Sequence, residues 1–314
     1  MAERNGVLVQ SVFFTAAAIL VLSTLALFLF VGINGLQLFA YASPLAFFFG
    51  GTWDQNTNDF GVLPLLYGSV VTVLITLLLS APLGIAVSVF MVEIAPAPVR
   101  RVMRTSVELF ASLPSVIYGL LGLTLVVPWV RETLHAGLGK GILAASVVLV
   151  FMTQPTIISI AEDALRALPE ALREGALATG ATRWQMIWRV LLPAARPGLI
   201  TAVILGTGRA IGETMAVQMV IGNITARIPK NLSTGATTMP AAIVTQLPEA
   251  TSAEHRAALI MVAFLLLLIT LLLIIGVRLA SSGAGKARGS ARKAATGVKS
   301  DRTAAAARME GKQV

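Results

Sequence analysis

The chain has 314 residues, 56% of them hydrophobic and 12% charged, and a mean hydropathy of +0.83. A soluble domain carries about a quarter charged residues, and here the apolar residues fall in long blocks, so the composition excludes an ordinary water-soluble globule and predicts an all-α polytopic membrane protein. The net charge of +9 does not point to nucleic acid, because eight Lys/Arg between Ser281 and Val314 give that tail alone +6, and the absence of cysteine excludes disulfides, thiolate metal sites and cysteine nucleophiles.

About twenty apolar residues cross the hydrocarbon core of a bilayer. Six segments qualify: 8–33, 66–92, 107–130, 141–160, 198–221 and 257–280. Ala40-Tyr41-Ala42 has the look of a signal-peptidase site, but the apolar stretch Val7 to Ile33 is far longer than a secretory h-region, so an uncleaved first helix is expected. Glu108 opens the third span, and Arg209 with Glu213 interrupts the fifth. His135 and His255 fall in expected loops, far apart, with no metal-site spacing.

Lys/Arg placement sets orientation. Arg131, Lys140, Arg227, Lys230 and Arg256 follow the third and fifth spans, five in all. Eighteen lie on the other side, among them Arg100, Arg101, Arg104, the five arginines of 161–197, and the nine Lys/Arg from Arg278 onward. Both termini and the loops 93–106 and 161–197 are therefore expected in the cytoplasm. Three regions follow: 1–60, a first helix and extracytoplasmic loop; 61–280, the membrane core; and 281–314, a basic Ala/Gly/Ser-rich tail expected to be disordered and able to meet anionic lipid.

Segment 161–197 reads as a helix, a turn and a helix. Pro169 and Glu170 suit a helix start, and Leu165, Leu168, Leu172 and Ala176 recur at helical spacing. Gly180 supplies a stop that tolerates a left-handed backbone, Thr182 with Gln185 forms a capping box, and Pro193 is expected to end the second helix. Such a pair could simply lie on the bilayer surface.

In the fifth span, Arg209 sits about 16 Å from the start, near the bilayer midplane. Glu213, four residues on, is expected on the same helical face. Charges at that depth cost about 2.5–3.5 kcal/mol each on insertion scales, and must face protein or water. Two readings stand. In one, the pair closes the bundle internally, helped by a Gly208/Gly212 packing seam. In the other, Arg209 offers a guanidinium fork to a passing oxyanion while Glu213 holds it in waiting.

Glu174-Gly175-Ala176, three residues, Gly180, nine residues, then Val190-Leu191-Leu192-Pro193 resembles the EAA loop of ABC-importer permeases, with Gly175 for Ala and Val190 for Ile as departures. Gly208-Arg209-Ala210-Ile211-Gly212-Glu213-Thr214-Met215-Ala216-Val217 is similar to the signature of the membrane subunits of the Pst phosphate importer, its ending like the C-type member. Phe60 to Gly68 and Leu113 to Gly119 resemble that subunit too.

The resemblance implies a type I ABC-importer permease fold in the bacterial inner (plasma) membrane. It implies a homologous second permease subunit, two cytoplasmic ATPase subunits that hold ATP and Mg, and an extracytoplasmic phosphate-binding protein. Glu174, Gly175, Ala176, Gly180, Leu192 and Pro193 would couple to the ATPase; Arg209, Glu213 and Thr214 would belong to the passage.

Other functions are weaker. The phosphate-cradling loop needs Gly, four residues, then Gly-Lys-Ser/Thr; Gly285-Lys286 and Gly139-Lys140 both fail it, so neither an enzyme nor a cofactor of its own is expected. A secondary transporter would show internal repeats and more ionisable residues across its helices. Sulfate, molybdate or phosphonate would fit a guanidinium as phosphate does.

Overall fold

A computed structural model describes residues 2–276 except 56 and 136; the basic tail 281–314 lies outside the described residues. Among the described residues, six helical segments are long and apolar enough to span a membrane: Gln10–Ala40, Leu63–Ile94, Ser115–Thr133, Ile142–Arg166, Arg183–Gly212 and Ala253–Gly276.

Helix α1 (Ala2–Leu36) passes through a 3₁₀ turn into a short structured loop. There Ser43 caps α2 (Pro44–Phe49), and β1 (Trp53–Asp54) pairs antiparallel with β2 (Asp59–Phe60). The segment expected as a plain loop is thus folded. It packs Leu38, Phe47, Trp53 and Phe60 against α12 (Met239–Gln246) and α13 (Ala253–Gly276). His255 is no surface loop residue: it lies in the first turn of α13, only 3% exposed, stacked on Phe60. Its Nε2 lies 3.2 Å from Gln246 Oε1, which also accepts from Trp53 Nε1 at 2.8 Å.

The bundle is built around α7 (Ile142–Arg166). Two thirds (67%) of its most apolar window is buried, against 6% for the first span, so α7 is the axis and α1 the periphery. Close approach to α7 comes from small residues rather than from a leucine core, the usual device where lipid competes with protein for apolar side chains. On α3 (Leu63–Val89), Thr72, Thr76, Ser80 and Ser88 are fully buried. Thr72 and Thr76 return their hydroxyls to the carbonyls of Gly68 and Thr72 at 2.6 and 2.8 Å, so burial leaves them satisfied. A Cβ at Gly84 or at Gly206 would meet an Ile157 side-chain carbon at 2.6 Å, which seats α3 and α10 (Leu192–Gly212) on the same stretch of α7.

Three span boundaries differ from expectation. The third span starts at Ser115, not near 107. Residues expected as a cytoplasmic loop and the foot of that span form α4 (Ala97–Ser112), an amphipathic helix on which Glu108 pairs with Arg104 in solvent. Pro114 is the reason: the residue before a proline is driven out of the helical region, and Leu113 is extended at ψ 132°. α5 (Ser115–Leu121) and α6 (Val127–Thr133) then share one span through a π turn.

The fifth span is longer on one side and shorter on the other. Pro193 does not end a helix; the path from α9 (Arg183–Met186) runs through a π turn at Ile187–Leu191 straight into α10. A wide π turn before the ring relieves the clash a proline makes with the preceding turn. At its far end α10 stops at Gly212, and Glu213 and Thr214 intervene before α11 (Met215–Val220).

Candidate functional site

Two places carry chemistry. The first is the turn between α7 and α10. α8 (Glu170–Ala178) starts after Pro169, with Glu170 in its first turn. Gly180 takes φ +82°, a left-handed conformation that glycine adopts without strain. Thr182 Oγ1 accepts from Gln185 N–H at 3.3 Å and Gln185 Oε1 accepts from Thr182 N–H at 3.0 Å, completing the capping box. Glu174 and Gly175 are exposed, Ala176 is half-buried against the core, Leu192 is half-buried, and Pro193 is exposed. The underside is firm, because Leu165, Leu168, Met186, Ile187 and Leu191 are all buried in one cluster with Val89 of α3. A rigid short helix with an exposed carboxylate is thus held at one end of the bundle, and Leu177, Trp184 and Trp188 stand exposed beside it.

Sequence reading missed the residues that hold α8 in place. Arg173 Nη2 donates to Glu93 Oε1 at 2.9 Å and Nε to the same oxygen at 3.1 Å. The two side chains are 14% and 6% exposed, and Glu93 belongs to the π turn Phe90–Ile94 that ends the α3 span. The same guanidinium reaches the Leu165 and Leu168 carbonyls at 3.1 and 3.3 Å. Bonding to Glu93, chiefly, raises the Arg173 pKa further above its ordinary value, so the charge is permanent. Arg100 caps the same turn, Nε donating to Met91 O at 2.7 Å. No local spacing announces these contacts, since Glu93 and Arg173 are 80 positions apart.

The second place is the break in the fifth span. Arg209 is half-buried near the end of α10, and its Nη1 donates to Thr156 Oγ1 of α7 at 3.0 Å. The expected ion pair with Glu213 is not made. Because α10 ends at Gly212, Glu213 is extended rather than helical, and its Oε1 accepts from Ala216 N–H at 3.1 Å. The carboxylate therefore serves the N-terminal turn of α11, where helix amides are unpaired and favour negative charge. Thr214, half-buried, is the N-terminal cap residue of α11, and its hydroxyl donates to Gly212 O at 3.3 Å. Nor do Gly208 and Gly212 form a seam within this chain, for a Cβ at either would meet nothing within 4 Å; Gly206 is the glycine that packs.

The arrangement leaves Arg209 with one hydroxyl partner and, among the described residues, no carboxylate in salt-bridge range. A guanidinium carries five N–H donors in a planar fork. Here most of that capacity is open. Tyr118, buried on α5, lies within electrostatic reach of the group and donates its own hydroxyl to Phe110 O at 2.7 Å.

Residues 82–284 match the family described as binding-protein-dependent transport system inner membrane component. The chain is 46% identical to a probable ABC transporter permease protein, YqgH, of Bacillus subtilis, over 66% of this chain and 68% of that one. It is 37% identical to the phosphate transport system permease protein PstC of Xylella fastidiosa over 75% of this chain and 78% of the relative, and 37% identical to the PstC of Mesorhizobium japonicum over 82% and 85%. Among solved structures, a chain of the inward-facing MetNI methionine ABC transporter aligns with a TM-score of 0.50 at 26% identity, covering 70% of this chain and 94% of that one. A chain of a bacterial alginate ABC transporter shares the fold with a TM-score of 0.56 at 18% identity, over 83% and 92%. The bundle is therefore a type I ABC-importer permease fold, and the chain belongs to the family of binding-protein-dependent transport system inner membrane components, in the branch that holds the PstC permeases.

Proposed function

We propose that this chain is the membrane permease subunit of an ATP-driven phosphate importer, forming half of the passage and taking its driving force from a separate ATPase through residues 161–197. The observation that carries the reading is an arginine inside a membrane-spanning helix whose fork is left open by its own protein. A charge without a counter-ion inside a span is costly and is kept for a task. Phosphate, an oxyanion able to accept two parallel N–H bonds, fits that fork.

The substrate follows from the relatives named as phosphate permeases, since the fork alone would also accept sulfate. On this reading the exposed Glu174 side of α8 meets the ATPase on the cytoplasmic face, a homologous second permease completes the passage, and an extracytoplasmic binding protein delivers the anion. Hydrolysis of ATP, with its Mg, belongs to the ATPase partners.

The test is to copurify the chain with its partners, reconstitute the assembly in vesicles, and measure ATP-dependent uptake of labelled phosphate with sulfate as competitor. Uptake that needs ATP and withstands excess sulfate is the expected result. Uptake by the chain alone under an ion gradient contradicts it, and efficient competition by sulfate reassigns the substrate.

A further inference from the structure

The turn bearing Glu174 is joined by covalent chain to α7 and α10, but a third helix is also tied to it. We propose that the buried Arg173–Glu93 ion pair is a latch through which movement of α8 is delivered to α3, so that α3 and α7 move as one body carrying the Thr156–Arg209 contact. This inference rests on the importer reading above.

Each joint along that route is a contact between named atoms. Arg173 grips Glu93 through two nitrogens at 2.9 and 3.1 Å, and both side chains are almost wholly removed from solvent. Both of those bonds end on Oε1, and Nε also reaches Oε2 at 3.4 Å, so the guanidinium engages both carboxylate oxygens and resists rotation as well as separation, which a single hydrogen bond does not. Arg100 ties the turn holding Glu93 to the start of α4 by donating to the Met91, Val92 and Ala95 carbonyls, so Glu93 sits on a braced support.

From that end, α3 is bound to α7 by polar contacts along its length. Gln154 Nε2 donates to Ser80 O at 3.2 Å, and Ser146 Oγ donates to Thr72 O at 3.2 Å. Two helices stitched this way, with Ile157 seated against Gly84, have little freedom to slide independently. Two residues beyond Gln154, Thr156 holds Arg209 at 3.0 Å. A pull on α8 thus reaches the candidate anion-binding group through α3 and α7, beside the direct covalent route into α10. Rigid bodies that shift between two packings are the usual carriers of such movement.

The Glu93→Gln change keeps the side chain's shape and one acceptor while removing its charge. In the reconstituted assembly it is expected to leave copurification of the ATPase and ATP hydrolysis intact, and to lower phosphate carried per ATP hydrolysed by about tenfold, within the usual range of coupling between sites. Because the natural chain has no cysteine, Glu93→Cys with Arg173→Cys can be joined by a reducible bifunctional thiol reagent of arginine length. Coupling should be low before cross-linking, recover after it, and fall again on reduction, while ATPase copurification stays constant throughout; a merely structural brace would move copurification together with coupling.

Unchanged coupling in Glu93→Gln overturns the latch, as does loss of ATPase copurification, which would make the pair a folding brace for α8. Failure of cross-linking to restore coupling overturns it as well. The wild-type assembly separates the two hypotheses. If wild type shows no ATP-driven phosphate uptake, the importer reading fails; if wild type transports and the variants match it, only the latch fails.

Discussion

Arg209 keeps most of its hydrogen-bonding capacity in reserve, and Glu213 does not draw on it. The two residues should therefore answer differently to loss of charge. Removing the guanidinium forfeits a charge-assisted contact of about 1.5–3 kcal/mol, so Arg209→Gln is expected to lower phosphate uptake about ten- to hundredfold while the ATPase still copurifies. Collapse of the assembly would instead make Arg209 a packing residue. Glu213→Gln retains an oxygen that can accept from Ala216 N–H, so its uptake should stay within about threefold of wild type, a cap being worth about 1 kcal/mol or less when an acceptor remains. Equal, large losses in both variants would show that they act as a pair after all. Four-residue spacing implies a pair only within an unbroken helix, and α10 ends at Gly212 between the two. Gly212, a stop residue, followed by Glu213 and Thr214, residue types that suit a helix start, is the signal of the break.

At the level of the element, the helix–turn–helix of 161–197 was readable because its determinants are local. Gly180 at positive φ and the Thr182/Gln185 box each act over three or four residues, and both lie where their residue types require. Gly180→Ala forces a Cβ into the left-handed region at about 1–2 kcal/mol, and hydrogen exchange of the Arg183–Met186 amides should speed up accordingly; unchanged protection would mean the turn does not set the second helix. Glu174→Lys reverses the charge on the exposed face of α8 without touching the buried cluster beneath. The variant should insert and fold normally, as judged by yield and thermal melting, yet lose ATP-dependent uptake; wild-type uptake would remove Glu174 from the coupling surface. What stayed hidden was the other side of the same helix. Arg173 reads as one more solvated charge until α3 brings Glu93 to it, and Pro193 reads as a terminator until the π turn at Ile187–Leu191 makes room for it.

For the whole molecule, block hydropathy was enough to find six spans, since length and apolarity are what a bilayer selects. It was not enough to order them. That α7 is the axis follows from hydroxyl and glycine residues on α3 and α10 meeting it, a pairing that no single segment declares. The folded loop over α12 and α13 was also out of reach, because Trp53, Gln246 and His255 come together from positions up to about 200 apart.

The functional reading requires that α8 face the compartment where ATP is hydrolysed. In this cysteine-free chain, Ala178→Cys places one thiol at the exposed end of α8. A membrane-impermeant maleimide should leave it unlabelled in intact cells and label it fully in inverted membrane vesicles. Labelling from outside intact cells would put α8 on the wrong side of the membrane and contradict coupling to a cytoplasmic ATPase.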